Sequence, residues 1–288
     1  MYSTLALSTG MRKNRQLLKM RRLLGTHQKL DFAAREVIER YLPAEINFPS
    51  AKEILEFEGV KGPDALKRKS PGEDEPMHFI LPDQDDGKLM KMILDHQYNL
   101  RRALKNNNRE RAAFEAAWMA HAITDGLTPA HHFPYEETIK EMMSDKEFTK
   151  IFGTPIKGIM PGEDLLEMLR NNWLHWGAGG YMNKHIGFEM GVAVAAAALT
   201  NRQITPKMTA EEVRGAEIQH DFYASLEKIH HLRMYERFRK TGWTADLALE
   251  SKKILLPEIV RAITLGWAAS LPKELVGKTG DNTRRKND

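Results

Sequence analysis

The sequence predicts an all-α fold, a single-domain multi-helix bundle, from three observations. Apolar residues recur with helical spacing along most of the 288 residues, and no stretch of any length alternates with the period of two that marks a β-strand. Gly and Pro separate these periodic segments. The composition, 42% hydrophobic and 28% charged, is that of a globular chain with enough apolar residues for a large core.

The predicted helices begin where the apolar period begins and end where Gly, Pro or polar residues interrupt it. Residues 27–41 place Leu30, Ala34 and Val37 on one face, and Pro43 ends that helix. Residues 48–87 are rich in Pro, Gly and charge and predict a long loop with short helices, which is usually functional in a compact domain. The other predicted helices span residues 13–24, 89–105, 109–125, 136–144, 163–174, 184–200, 210–240 (one long helix or a broken pair) and 245–270. We expect one helical domain over residues 1–272 and a polar, disordered tail over residues 273–288.

Charge and cysteine content limit the classes of site and partner. The chain has no cysteine, so a metal must be held by His, Asp or Glu. The net charge of +4 and pI of about 9.0 mildly favour an anionic substrate. No segment reaches the roughly 20 apolar residues that cross a bilayer. Residues 5–7 are too short an apolar run for a signal peptide, so a cytoplasmic location is expected. The basic residues 11–22 predict either a peripheral membrane contact or, preferably, a solvated helix packed through its leucines.

Two His-x3-carboxylate pairs predict metal chemistry. His121 precedes Asp125 on one predicted helix, and His185 precedes Glu189 on another. Residues four apart lie on one helical face, so each pair can grip one ion. The helix is expected to break directly after Asp125, so that the following turn brings His131 back to the same pocket. Each pair alone is common by chance, and a metal-free bundle with incidental histidines is the plain alternative.

A further pair leaves a choice for the second metal position. His132 and Glu136 also have the His-x3-Glu spacing, but Pro134 lies between them and disfavours a regular helical face. His185 and Glu189 are therefore the preferred pair.

The stretch from His121 to His131, His-x3-Asp-x5-His with Pro129 two residues before the last histidine, resembles the signature of the zinc-dependent phospholipase C and single-strand zinc nuclease superfamily. The match runs in order from about residue 25 to 190, and the region after about residue 200 matches only as generic helix. The other matching positions are an early histidine, an Asp and a His-Phe pair in the long loop, and the later His-x3-Glu: His27, Asp64, His78 with Phe79, and His185 with Glu189.

The resemblance implies a cluster of two or three zinc ions. The implied ligands are Asp64, His78, His121 and Asp125 for the first ion, His131, His185 and Glu189 for the second, and His27 with a bridging Asp125 for the third. In the family the third ion also uses the amino group and carbonyl of an N-terminal Trp. The first Trp of this chain is Trp118, so the third position lacks that ligand.

The resemblance further implies a zinc-dependent hydrolase of phosphate esters, a phospholipase C-like phosphodiesterase acting through a metal-activated water. Asp64 would be a ligand, a general base that orients this water, or both. Lys67 would offset phosphate charge, or be a solvated lysine in a basic run. Phe79 would stack on a base, or pack against the loop, which is the preferred reading.

Two other functions remain open within the resemblance. The substrate is either a phospholipid or a nucleic acid, so a single-strand nuclease or nucleotidase of the same superfamily is the first alternative. The second is a non-catalytic metal-binding scaffold that has lost the N-terminal ligand.

Overall fold

The computed structural model describes residues 24–59, 61–63, 80–83, 87–134, 165–177 and 179–272. These residues form α-helices, one 3-10 turn and one π-helical turn, and no β-strand occurs among them, which confirms the predicted fold class. No helix among them combines the length and the apolar character that a membrane crossing requires.

The helices are numbered here in chain order. They are α1 (Thr26–Ile38), α2 (Ala51–Glu58), α3 (Lys88–Lys105), α4 (Arg109–Leu127), α5 (Leu165–Trp176), α6 (Tyr181–Ala197), α7 (Asn201–Ile204), α8 (Ala210–Arg214), α9 (Ile218–His230), α10 (Met234–Thr241), α11 (Ala245–Glu250) and α12 (Leu256–Ala269). The 3-10 turn Pro129–His132 follows α4, and the π-helical turn Ser251–Leu255 joins α11 to α12.

Helix α4 lies at the centre of the core. Its first turn is capped by Asn108, whose side chain accepts a hydrogen bond from the backbone N–H of Arg111 at 3.1 Å. Almost every residue from Ala112 onward is buried, and many are alanines, which let α2, α3 and α12 pack closely against the helix. The fully buried Trp267 of α12 donates its indole N–H to the carbonyl of Ala116 at 2.9 Å.

The end of α4 corrects the prediction that the helix breaks directly after Asp125. The helix continues through Gly126 to Leu127 and ends before Pro129. A Cβ on Gly126 would lie 2.5 Å from Leu89 Cδ2 and 2.8 Å from Phe222 Cζ. The glycine is therefore not a helix breaker here, because its missing side chain lets α3 and α9 approach α4.

Residues 48–87, predicted as a long loop with short helices, contain the two-turn helix α2, whose N-terminus Ser50 and Glu53 cap. Two other predicted boundaries differ from the structure. Residues 210–240 form three helices, and the left-handed Arg233 (φ 51°) separates the last two. Residues 245–270 are interrupted by the π-helical turn just before Pro257, which lacks the N–H that a regular helix would use. The predicted helix 136–144, the tail 273–288 and all but Leu24 of the helix 13–24 lie outside the described residues.

A buried lysine joins α1, which carries the first candidate ligand His27, to α6, which carries the last one, Glu189. Lys29 of α1 is 3% exposed and donates from Nζ to the carbonyls of Ala196 and Leu199, at the C-terminal end of α6. A cation at this position also interacts favourably with the helix dipole. Lys29 thus fixes α6 against α1.

Candidate metal centre

The first cluster joins the start of α1 to the C-terminal half of α4. His121 Nε2 lies 3.2 Å from Asp125 Oδ2, one helical turn away. His27 of α1 places its Nε2 3.3 Å from the other oxygen, Asp125 Oδ1. The two imidazole rings are stacked, with centroids 4.4 Å apart and planes at 19°. Asp125 therefore presents one oxygen to each histidine, as a carboxylate that bridges two ions would do.

The second cluster joins the 3-10 turn to α6. His131 Nε2 and His185 Nε2 lie 3.1 Å and 3.0 Å from the same atom, Glu189 Oε1. The side chain of Glu189 is 44% exposed, whereas those of His131 and His185 are 7% and 13% exposed. This cluster is therefore closed on the histidine side and open to solvent at its carboxylate.

The turn after α4 places His131 beside α6. Thr128 donates its backbone N–H to the carbonyl of Asp125 at 3.0 Å and its hydroxyl to the carbonyl of Thr124 at 2.8 Å. The backbone N–H of His131 then donates to the carbonyl of Thr128 at 2.9 Å. These bonds close the tight turn that the sequence predicts, although it begins two residues later than expected.

Opposite charges outweigh burial in both clusters. Burial favours the neutral form of Asp125, but His121 and His131 hold the pKa of this carboxyl well below its usual range. Burial also opposes a charge on His121, yet Asp125 and Glu58 hold its pKa well above its usual range. Desolvation raises the pKa of Glu189, but the hydrogen bonds from His131 and His185 lower it by more, so that the pKa lies below its usual range.

Two buried carboxylates that the sequence analysis did not single out lie beside the first cluster. Glu58, the last residue of α2, places Oε1 2.9 Å from His121 Nδ1 and 3.6 Å from His27 Nδ1. Asp31 of α1 is 1% exposed, and neither of its carboxylate oxygens has a hydrogen-bond partner in the described part of the chain. Burial and, after it, the charge of Glu58 hold the pKa of Asp31 well above its usual range.

The two omissions differ in how far the sequence could have revealed them. His27 and Asp31 repeat the His-x3-Asp spacing of the two recognised pairs, so the pattern was present for Asp31. Glu58 lies in a stretch interpreted as loop, and no spacing connects it to a histidine. Only the packing of α2 against α4 and α1 reveals it.

The donor set fits divalent cations. A tetrahedral Zn²⁺ with bonds of about 2.0–2.1 Å holds its ligand atoms about 3.3 Å apart. The nitrogen–oxygen distances across both clusters are 3.0–3.3 Å. Each set of three donor atoms lies within 4.8 Å, and the two buried carboxylate oxygens of Asp31 have no hydrogen-bond partner among the described residues. Metal binding by these residues stays a prediction.

Several predicted site residues cannot be placed. Asp64, Lys67, His78 and Phe79 lie outside the described residues, so of the four ligands implied for the first ion only His121 and Asp125 are located. For the alternative second pair, Glu136 also lies outside them.

The other member of that alternative pair is engaged elsewhere. His132 donates its ring N–H to the carbonyl of Gly126 at 3.0 Å, and burial lowers its pKa to about 4. The preferred pair, His185 and Glu189, shares its carboxylate oxygen with His131.

Comparison with known proteins adds little to this geometry. No family model and no curated protein matches the chain. Among solved structures it is similar to alpha-toxin of Clostridium perfringens, isolated from avian strain SWCP, with 15% sequence identity and a TM-score of 0.43. The match covers 89% of this chain and 65% of that one, so the chain spans less than two thirds of the protein that it matches. The interpretation of the site therefore rests on its own residues.

Proposed function

We propose that the protein is a zinc-dependent hydrolase of phosphate esters, a phosphodiesterase of the phospholipase C type. The observation that carries this proposal is the convergence of two His-carboxylate clusters from four separate segments: α1, α4, the 3-10 turn and α6. Incidental histidines in a helical bundle give no reason for six such side chains to meet at ligand spacing.

The chain's own residues would divide the work between them. His27, His121 and Asp125 would hold ions on one side, and His131, His185 and Glu189 on the other. Bound divalent cations would supply neutralisation of the phosphate charge and an acidified water. From the resemblance, Asp64 and His78 would complete the first position, and Asp64 would also orient the attacking water. Lys67 and Phe79 would contact the substrate.

A cleft beside the 3-10 turn supports an anionic substrate through Arg239. The cleft has a volume of about 240 Å³, and its lining includes Pro129, Phe133, Arg239, and Arg233 with its ion-pair partner Glu236. The guanidinium of Arg239 lies 4.1 Å from the centre of the Phe133 ring and forms no ion pair with any described residue. Its charge is therefore available to a phosphate group.

The test is a hydrolysis assay with the zinc-loaded protein and matched histidine variants. The substrates are a chromogenic phosphodiester, vesicles of phosphatidylcholine, vesicles of other phospholipids, and single-stranded DNA. We expect diester hydrolysis that a chelator abolishes and zinc restores. His121→Ala should lower it at least 100-fold because it removes a ligand, whereas His220→Ala should not, because the His220 side chain is 77% exposed and lies outside both clusters.

The outcomes separate the alternatives. Hydrolysis of DNA but not of phospholipid would show that the protein is a nuclease and not a phospholipase. Zinc binding without hydrolysis of any substrate would favour the alternative that the protein is a non-catalytic metal-binding scaffold. Full activity in His121→Ala would show that the site is assigned wrongly.

A further inference from the structure

We infer that Glu58 is a positioning residue of the first cluster, which orients both His27 and His121 so that their Nε2 atoms face Asp125. The inference rests on the proposed metal binding at this cluster. It adds a carboxylate that holds ligands without being one of them.

The two histidines lie between two carboxylates. On one edge, the Nε2 atoms of His27 and His121 lie 3.3 Å and 3.2 Å from the two oxygens of Asp125. On the other edge, their Nδ1 atoms lie 3.6 Å and 2.9 Å from the single oxygen Oε1 of Glu58. Because the rings are nearly parallel, one carboxylate can act on both. Asp125 thus marks the metal side and Glu58 the opposite side.

The chemistry of imidazole makes this arrangement directional. A neutral imidazole has one N–H and one lone pair, and a carboxylate only accepts hydrogen bonds. With a cation bound between His121 and Asp125, Glu58 would accept the N–H of His121 Nδ1, and the lone pair of Nε2 would be left for the cation. For His27 the 3.6 Å separation is too long for a hydrogen bond, and the attraction is electrostatic. The side chain of Glu58 is only 3% exposed, so water does not readily replace it.

The backbone around Glu58 is held rigidly enough for this role. Glu53 joins the start of α2 to α4 by accepting from Arg109 Nη2 at 2.8 Å, and its Oε2 also accepts from the backbone N–H of Ser50 at 2.8 Å. At the other end, a Cβ on Gly62 would lie 2.3 Å from the carbonyl oxygen of Glu58. Only glycine allows the chain to turn back so closely on this residue.

The experiment compares three variants in zinc affinity and in histidine tautomer. Glu58→Met removes the acceptor, and Glu58→Gln keeps an acceptor oxygen but removes the charge. Glu115→Met is the matched control, because Glu115 is fully buried and belongs to neither cluster. Its carboxylate pairs with Arg111 and, at 2.5 Å, with His96 Nδ1. Zinc affinity is measured by competition with a chromogenic chelator. The tautomers are measured by long-range ¹H–¹⁵N NMR of the zinc-loaded protein labelled at histidine.

We expect Glu58→Met to weaken zinc binding at the first cluster about 10- to 100-fold, the range for residues that orient metal ligands. Glu58→Gln should lie between it and the wild type, and Glu115→Met should match the wild type. In the wild type, Nδ1 of His121 should carry the proton and Nε2 should bind the metal. The NMR signals of His131 and His185 should not change in any variant, because the second cluster does not contact Glu58.

Two results would overturn the inference alone: wild-type zinc affinity in Glu58→Met, or Nδ1 of His121 as the metal-bound nitrogen in a protein that binds zinc. Absence of zinc binding in the wild type would overturn the proposed function as well. If Glu58→Met does not fold, as judged by circular dichroism, Glu58→Gln decides, since unchanged affinity and unchanged histidine signals in that variant contradict the inference.

Discussion

Removal of divalent metal should lower the melting temperature of the protein, and the number of metal sites gives the size of the change. A cation that binds only the native state stabilises it by RT ln(1 + [M]/Kd), about 2.7 kcal/mol per site at a free concentration of 100 Kd. The two clusters together therefore give about 5 kcal/mol. Large domains gain about 2–4 °C in Tm per kcal/mol, so we expect a rise of about 10–20 °C.

The assay is differential scanning calorimetry at pH 7, with a chelator in one sample and buffered zinc in the other. His131→Ala removes one ligand of the second cluster and should reduce the zinc-dependent rise to about half, that of one remaining site, about 5–10 °C. His220→Ala should keep the whole rise. A zinc-dependent change of less than about 2 °C in the wild type would correspond to less than about 1 kcal/mol and would refute the calculation. A full rise in His131→Ala would refute the placement of the second site.

Two further predictions concern the parts of the fold that hold the clusters in place. Gly126→Ala should lower the free energy of unfolding by about 1–2 kcal/mol in urea titration, because overpacking against Leu89 and Phe222, about 2–3 kcal/mol since both contacts would be shorter than 3 Å, outweighs the gain in helix propensity of about 1 kcal/mol. Glu53→Gln should cost about 0.5–1 kcal/mol at pH 6, a small value because the ion pair with Arg109 is about one third exposed. The hydrogen bond from Arg109 lowers the pKa of Glu53 from 4.5 to about 2, so its stabilisation is complete above pH 4.5. The difference between wild type and Glu53→Gln should therefore shrink as the pH falls from 4.5 towards 2.

Each of these predictions has a matched control. Gly179→Ala should leave stability unchanged within about 0.5 kcal/mol, because a Cβ there meets no atom within 4 Å. Glu56→Gln, an exposed change on the same helix as Glu53, should change stability at pH 6 by less than about 0.5 kcal/mol. Equal stability of Gly126→Ala and the wild type would contradict the close packing around α4. A Glu53→Gln effect that stays constant from pH 6 to 3 would contradict the assigned ion pair.

The fold class follows from the sequence because helical periodicity is a local property. The start of α4 at Arg109 and the end of α3 at Lys105 agree with the prediction, since Asn106 to Asn108 provide polar and capping residues between them. The predicted end of α4 was wrong because local propensity treats glycine as a residue that breaks helices. At Gly126 the tertiary contacts decide, and the missing side chain is what allows neighbouring helices to approach.

The candidate site was predictable to the extent that ligand pairs have a helical spacing. His121 with Asp125 and His185 with Glu189 each lie one turn apart, as the spacing predicts. The grouping of His131 with Glu189 came from the resemblance and not from the spacing, which placed His131 in the pocket of Asp125. Glu58 could not be predicted, because its partners are 31 and 63 residues away in sequence and its role depends on how α2 packs. Asp64 and His78 stay predictions from the resemblance.

The most direct test of the central claim is a count of bound metal. The purified protein would be equilibrated with zinc, dialysed against metal-free buffer, and analysed by inductively coupled plasma mass spectrometry beside the double variant His121→Ala/His185→Ala. We predict at least two zinc ions per chain in the wild type and none in the double variant. Less than one ion per chain in the wild type, or equal zinc content in both proteins, would contradict the metal centre.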